Sequence, residues 1–314
     1  MTHATRAQNK ARTLDDIAAD NHVFSIIAMD QRNTLRRMFT AVGLDATDDD
    51  LRVAKADVAR VLTPAASGLL SDPTYGVPAI TEAKALAPGC GLLVAAEPAE
   101  RRSYQGEPRT HRDPALDAQW VLDQGGDALK FFVQLRADRP APAPGEPDLV
   151  TEALAVCDEI IRDCRATGVP VVIENLVYPR RGEDLAGRAR EDAIIESARA
   201  LDDLDIDLLK LEYPGSPEGC RRLAAILHRP WAVLSAGVPF DQFTDIIRIA
   251  AEEGGASGFI AGRSVWREVV GLAGPRREEF LTTVALPRLE RLIEVAGQCA
   301  RPWTDVAVNH QAPE

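Results

Sequence analysis

Eight short stretches of the chain are almost continuously apolar: 23–30 (VFSIIAMD), 68–72 (GLLSD), 91–97 (GLLVAAE), 128–134 (ALKFFVQ), 169–176 (VPVVIENL), 206–214 (IDLLKLEYP), 231–237 (WAVLSAG) and 256–263 (ASGFIAGR). Strands that expose one face alternate apolar and polar residues, whereas strands of a parallel sheet are covered on both faces and read as unbroken apolar runs. Between the runs lie segments with a helical stripe, clearest at 48–62, 148–167, 190–201 and 240–254. Eight strands alternating with helices predict an α/β protein, a single (β/α)8 TIM barrel. An open doubly wound sheet is the alternative, but it would more often carry a glycine-rich dinucleotide turn after the first strand, and none is present. The Pro-rich stretch 137–148 reads as an extended surface loop rather than a linker. One domain is therefore expected over 1–314, its barrel spanning about 14–303, with flexible ends and a frayed tail after Trp303.

Composition narrows the function. The apolar fraction of 46% and charged fraction of 27% are those of a soluble globular protein. A net charge of −12 argues against a nucleic-acid partner, which needs a basic face, yet leaves room for a small anion in a local basic pocket. The opening MTHATRAQNKART has no apolar core, so no secretory signal is expected, and no run is long enough to span a membrane. Five scattered cysteines without a CxxC pair fit reduced thiols in the cytoplasm. The five histidines form neither HxH nor HxxxH, so no metal site and no metal cofactor are expected.

The chemistry is sought where barrel enzymes keep it, at the carboxyl ends of the strands. There stand Asp30-Gln31-Arg32, Asp72, Glu97, Lys130, Glu174, Lys210 with Glu212, Ser235-Ala236-Gly237 and Gly262-Arg263. Of 36 Lys+Arg only five are lysine, and two of these, Lys130 and Lys210, sit inside apolar runs. Arginine cannot serve as a nucleophile because its guanidinium keeps its proton. Strand alternation that turns Lys210 into the barrel also turns Leu208 and Glu212 inward and Leu209 and Leu211 outward. An inward lysine close to a second one should lose some proton affinity through burial and like-charge repulsion. A neutral amine can condense with a ketone to an imine that draws electrons from an adjacent C–C bond, and a carboxylate such as Glu174 can carry the protons. The competing expectation is structural: Lys130 and Lys210 held in buried ion pairs by Glu174 and Glu212, with Asp72 and Glu97 capping loops. Small residues in LSAGV (234–238) and in FIAGRSVW (259–266), which also carries Arg263, are the signature of a phosphate seat after strands seven and eight.

Together AMDQRNTLRRMF, GDALKFFVQLRAD, VVIENLVYPRRGED, IDLLKLEYP, PWAVLSAGVPFDQF and GASGFIAGRSVWREVVGL resemble the class I ketose-phosphate aldolases related to tagatose 1,6-bisphosphate aldolase and sulfofructose 1-phosphate aldolase. The resemblance runs from about Leu14 to Trp303. It implies a metal-free retro-aldol cleavage through an imine on Lys210, with Glu174 as acid/base, Lys130 in support, and Asp30 holding Lys130 or a substrate hydroxyl. It implies that Ser235, Gly237, Gly262 and Arg263 take the C1 phosphate of a sugar phosphate. Gln31 and Arg32 would face the anionic group at C6. A homo-oligomer is expected. Stretches such as PRRGEDLAGRAREDAIIESARAL resemble the sulfosugar branch, and LLSDPTYGVPAI the bisphosphate branch. The bisphosphate branch is expected to place a C-terminal lysine on the C6 phosphate, and Lys210 is the last lysine of this sequence. The favoured substrate is thus 6-deoxy-6-sulfofructose 1-phosphate. Tagatose 1,6-bisphosphate is the alternative, and a non-catalytic sugar-phosphate sensor is the rival of another kind.

Overall fold

The computed structural model describes residues 11–307. Eight parallel strands close into a barrel, numbered here in chain order: β1 Phe24–Met29, β2 Gly68–Ser71, β3 Gly91–Ala95, β4 Ala128–Val133, β5 Val171–Asn175, β6 Leu208–Leu211, β7 Trp231–Leu234 and β8 Gly258–Ala261. Each pairs with its neighbour in sequence, and β8 returns to β1 with Phe24 opposite Gly258. The eight apolar runs are these eight strands. Each strand stops one or more residues before its run does, so Asp30, Asp72, Glu97, Glu212, Ser235 and Arg263 all stand just beyond a strand end.

Alternation divides the apolar residues into two layers. Phe24, Ile26, Leu70, Leu93, Ala128, Val172, Leu208, Ala232 and Ile260 fill the barrel, together with Ile17 from the segment that precedes β1. Leu129, Phe131, Ile173, Leu209, Leu211 and Val233 point outward into a larger core shared with the helices. Leu208 inside and Leu209 outside bear out the expected phase of β6, and Lys210 follows Leu208 inward.

The helices begin and end where local chemistry dictates. Thr47 and Asp50 form a reciprocal capping box at the start of helix Asp48–Leu62. Asp148 caps helix Leu149–Thr167, which stops at Gly168 in the left-handed conformation. Helix Phe240–Gly254 stops in the same way at Gly255. The stretch 137–148 is a loop, as expected. Between β3 and β4 the chain forms a two-stranded hairpin, Arg102–Tyr104 against Glu107–Arg109, which the hydrophobic pattern did not predict because neither strand is apolar. Trp303–Ala307 forms a short helix rather than a frayed end, and the rest of the predicted tail lies outside the described residues. All five cysteines are unpaired, and burial pushes the Cys157 thiol up to about 12. Among the described residues no helix is long and apolar enough to cross a membrane.

Candidate active site

Barrel register brings the two lysines together. Glu174 on β5 lies opposite Lys210 on β6, and Phe132 on β4 lies opposite Glu174. Neighbouring strands are about 4.8 Å apart, so inward side chains in register meet. Lys130 is 1% exposed, Lys210 4% and Glu174 8%. The Glu174 carboxylate bridges the amines: Oε1 is 2.9 Å from Lys210 Nζ and Oε2 is 2.6 Å from Lys130 Nζ.

Lys130 has two further partners. Its Nζ donates to Asp30 Oδ2 at 2.9 Å and to Glu97 Oε1 at 3.1 Å. Three carboxylates thus converge on one buried ammonium, while Lys210 is held by Glu174. The electrostatics follow. Burial works to strip the Lys130 proton, but Asp30, Glu174 and Glu97 together outweigh it, and its pKa lies well above the ordinary lysine value. This corrects the expectation that proximity to Lys210 would lower it: three anions at contact distance dominate one nearby cation. Burial likewise acts to raise the pKa of Asp30 and Glu174, and is overcome by Lys130 and then Lys210, so both carboxyls fall below their ordinary values. At neutral pH the cluster holds ionised Asp30 and Glu174 around a fixed Lys130 ammonium.

Glu212 was a candidate partner for the lysines and is not one. Its Oε2 accepts from the Val177 amide at 2.7 Å and its Oε1 pairs with Arg190, so it ties the loop after β5 to the end of β6. Asp72 is structural, as one of the two expectations had it. It is fully buried against Lys55, with Nζ to Oδ2 at 2.8 Å, and accepts from the amides of Thr74, Tyr75 and Gly76. Sequence reasoning passed over Lys55, although it lies in the apolar stripe of its helix between Leu51 and Val58. Lys55 Nζ donates to the carbonyls of Met29 at 2.6 Å and Gln31 at 2.9 Å, which bracket Asp30. The Gln31 side chain donates to Asp30 Oδ1 at 3.0 Å, and Arg32 donates to the Glu97 carbonyl at 3.0 Å.

Across the mouth the loops after β7 and β8 meet. Ala236 and Gly237 both have positive φ, 47° and 81°, which curls the chain after Ser235. A side chain at Gly237 would crowd the Arg263 guanidinium at 3.2 Å, and one at Gly262 would strike the Ala28 carbonyl at 2.7 Å. The Gly262 amide donates to Ser235 Oγ at 3.4 Å, and Arg263 donates to the Ala236 carbonyl at 3.3 Å. Burial, and then Arg267, pull the Arg263 pKa down, with Asp30 and Glu174 opposing from the barrel centre. Arg267 reaches the Gly237 carbonyl and was missed in the sequence, although its spacing of four residues from Arg263 places both on one helical face. Neither arginine has a carboxylate partner among the described residues. The geometry therefore sets two small-residue turns and two guanidiniums without carboxylate partners on the loops that follow β7 and β8.

Comparison with known proteins gives the family. The pattern of the DeoC/LacD family aldolase matches residues 24–268. Tagatose 1,6-diphosphate aldolase 2 of Streptococcus pyogenes serotype M1 is 28% identical over 335 positions, covering 96% of this chain and 98% of that protein. Tagatose 1,6-diphosphate aldolase of Streptococcus agalactiae serotype V is 27% identical, with 95% and 98% covered. An archaeal fructose 1,6-bisphosphate aldolase superposes with a TM-score of 0.61 at 18% identity, over 90% of this chain and 99% of that one, a likeness of fold.

Proposed function

The chain belongs to the DeoC/LacD aldolase family and is an aldolase, a lyase; on that premise we propose a class I retro-aldol cleavage of a ketohexose 1-phosphate that carries an anion at C6. The observation that carries the reading is the Glu174 carboxylate bridging Lys210 and Lys130 at 2.9 and 2.6 Å. Lys130 is clamped by three carboxylates and keeps its proton, which leaves Lys210 as the nucleophile.

The neutral Lys210 amine attacks C2, and Glu174 relays protons so that the C2 oxygen leaves as water. The resulting iminium places a positive charge beside the Glu174 carboxylate. Removal of the C4 hydroxyl proton by Glu174 lets the C3–C4 electrons flow into the iminium. A three-carbon aldehyde departs and an enamine stays on Lys210. Protonation at C3 and attack by water at C2 release dihydroxyacetone phosphate and free the amine. Asp30, fixed by Lys130 and Gln31, would hold a substrate hydroxyl. Ser235, Gly237, Gly262, Arg263 and Arg267 would receive the C1 phosphate through charge-assisted and backbone contacts.

For the C6 group we favour sulfonate, giving sulfolactaldehyde as the aldehyde. LLSDPTYGVPAI, the stretch that resembles the bisphosphate branch, is scaffold here: its Asp72 is fully buried on Lys55 and caps the turn after β2. Its likeness therefore bears on the fold more than on the substrate. Tagatose 1,6-bisphosphate, with glyceraldehyde 3-phosphate as the aldehyde, is the second reading, favoured by the names of the relatives at 28 and 27% identity. Borohydride reduction in the presence of dihydroxyacetone phosphate tests the chemistry. A mass adduct on Lys210 is expected; an adduct on Lys130 refutes the assignment, and no adduct favours a non-catalytic sensor. The kcat/KM values for 6-deoxy-6-sulfofructose 1-phosphate and tagatose 1,6-bisphosphate decide between the two C6 groups.

A further inference from the structure

The second anion of the substrate needs its own cation. In a ring of eight strands the loop after β3 faces the loop after β7, onto which Arg263 folds back, so residues 97–111 lie across the barrel mouth from that pair. There Arg101 places its guanidinium carbon 4.3 Å from the centre of the Phe132 ring, and Nη1 donates to Gln134 Oε1 at 2.9 Å. The same ring lies 5.5 Å from Lys130 Nζ, so a single side chain links this arginine to the lysine pair.

Four of the surrounding arginines are spent, while the exposed Arg102 has no carboxylate partner among the described residues. Arg109 is paired with Glu152 at 2.7 Å, Arg112 with Asp163, Arg139 with Glu107, and Arg136 with Asp138 and Glu183 at 2.8 Å. Arg101 has no carboxylate at ion-pair distance among the described residues. What sets Arg101 apart from the exposed Arg102 beside it is its fixed seat on Phe132 and Gln134. Arg101 stands at the solvent-facing rim, yet burial pulls its pKa down; Glu97 and Glu174 oppose this, and Arg32 acts with it. It lines a cleft shared with Glu97, Arg102, His111, Phe132 and Gln134 and walled by the hairpin that the apolar pattern did not predict. Of the two acids in this cleft, Glu97 is turned to Lys130 and Glu100 is exposed.

We propose that Arg101, seated on Phe132 and Gln134 with Arg32 close by, is the specificity-determining cation that receives the anionic C6 group, phosphate or sulfonate. The proposal rests on the ketose 1-phosphate reading above and deepens it. A guanidinium suits either group because it offers paired N–H donors to adjacent oxygens. It also adds to Gln31 and Arg32, the pair to which the sequence resemblance gives the C6 anion: the Gln31 amide nitrogen is already committed to Asp30 and Arg32 to the Glu97 carbonyl.

The test is Arg101→Gln assayed on matched substrates: tagatose 1,6-bisphosphate against tagatose 1-phosphate, and 6-deoxy-6-sulfofructose 1-phosphate against fructose 1-phosphate. Loss of a hydrogen-bonded charge should lower the preference for the anionic member, measured as the ratio of kcat/KM values, by about 10- to 100-fold. The change is expected mainly in KM, with part of the preference regained in Arg101→Lys. A ratio that does not change, or an equal loss on both members of a pair, overturns the assignment. Wild-type protein that cleaves none of the four compounds instead overturns the ketose reading itself. The larger of the two wild-type preferences identifies which anion the site takes.

Discussion

Replacing Lys130 with methionine removes the ammonium on which three buried carboxylates converge, while filling much of its volume. Asp30 then keeps the Gln31 amide, Glu174 keeps Lys210, and the nearest cation to Glu97 is Arg32, 4.0 Å away. Breaking a buried ion pair by deleting one partner costs about 3–5 kcal/mol, because the other charge is left uncompensated. That is a large share of a folding stability of about 5–15 kcal/mol. For a chain of this length it corresponds to a melting temperature lower by roughly 5–8 °C. The pH dependence distinguishes this mechanism from simple loss of packing. In the wild type, Asp30 and Glu174 have depressed pKa values, so their contribution is present above the ordinary 3.8 and 4.5 and is lost only as pH falls through the lower folded values. Lys130 has a raised value, so its contribution is present below the ordinary 10.5 and is lost as pH rises through the folded one. Between these limits the cluster leaves wild-type stability flat. In Lys130→Met, burial acts on the carboxyls with its main opponent gone, so their pKa values move upward and the folded state takes up a proton that the unfolded state does not. The destabilisation should therefore shrink as pH is lowered from 8 to 5.5. Urea unfolding of both proteins at the two pH values measures this, and Lys130→Met/Glu97→Gln should recover part of the loss. A difference that is the same at both pH values, or below about 1 kcal/mol throughout, would refute the electrostatic account, since it falls outside the range for an uncompensated buried charge.

Two further outcomes follow from the same cluster and its supports. Lys210→Arg puts a long basic side chain beside Glu174 that cannot form an imine, so cleavage should fall to background while circular dichroism and the melting temperature change little; retained turnover would remove Lys210 from the chemistry. Lys55→Met leaves Asp72 buried without a counter-ion and frees the two carbonyls that bracket Asp30; we expect about 3–5 kcal/mol of destabilisation by urea unfolding, partly recovered in Lys55→Met/Asp72→Asn.

Much of this protein can be read from one dimension because its dominant constraint is periodic. A strand buried on both faces must be apolar throughout, so eight unbroken runs gave eight strands, and the alternation around Leu208, Leu209 and Lys210 gave the inward direction of the lysine. The strand-end rule then placed Asp30, Glu97, Lys130, Glu174, Lys210, Ser235 and Arg263 on one rim. Partnership was not legible, because it depends on register and side-chain reach between segments far apart in the chain. Glu97 and Asp30 share Lys130 across 33 and 100 residues of sequence. Glu212, two residues from Lys210, turns instead to Arg190 and the Val177 amide. The polar hairpin over 102–109 carries no apolar period to detect, and Lys55 hides in a helical stripe where charge is ordinarily excluded. The sequence by itself determined which groups could stand at the barrel mouth. Only the closed barrel decided which charge neutralises which, and so which lysine is locked as an ammonium and which arginines lack a carboxylate partner among the described residues, because Coulomb energy depends on distances in space that sequence separation does not set.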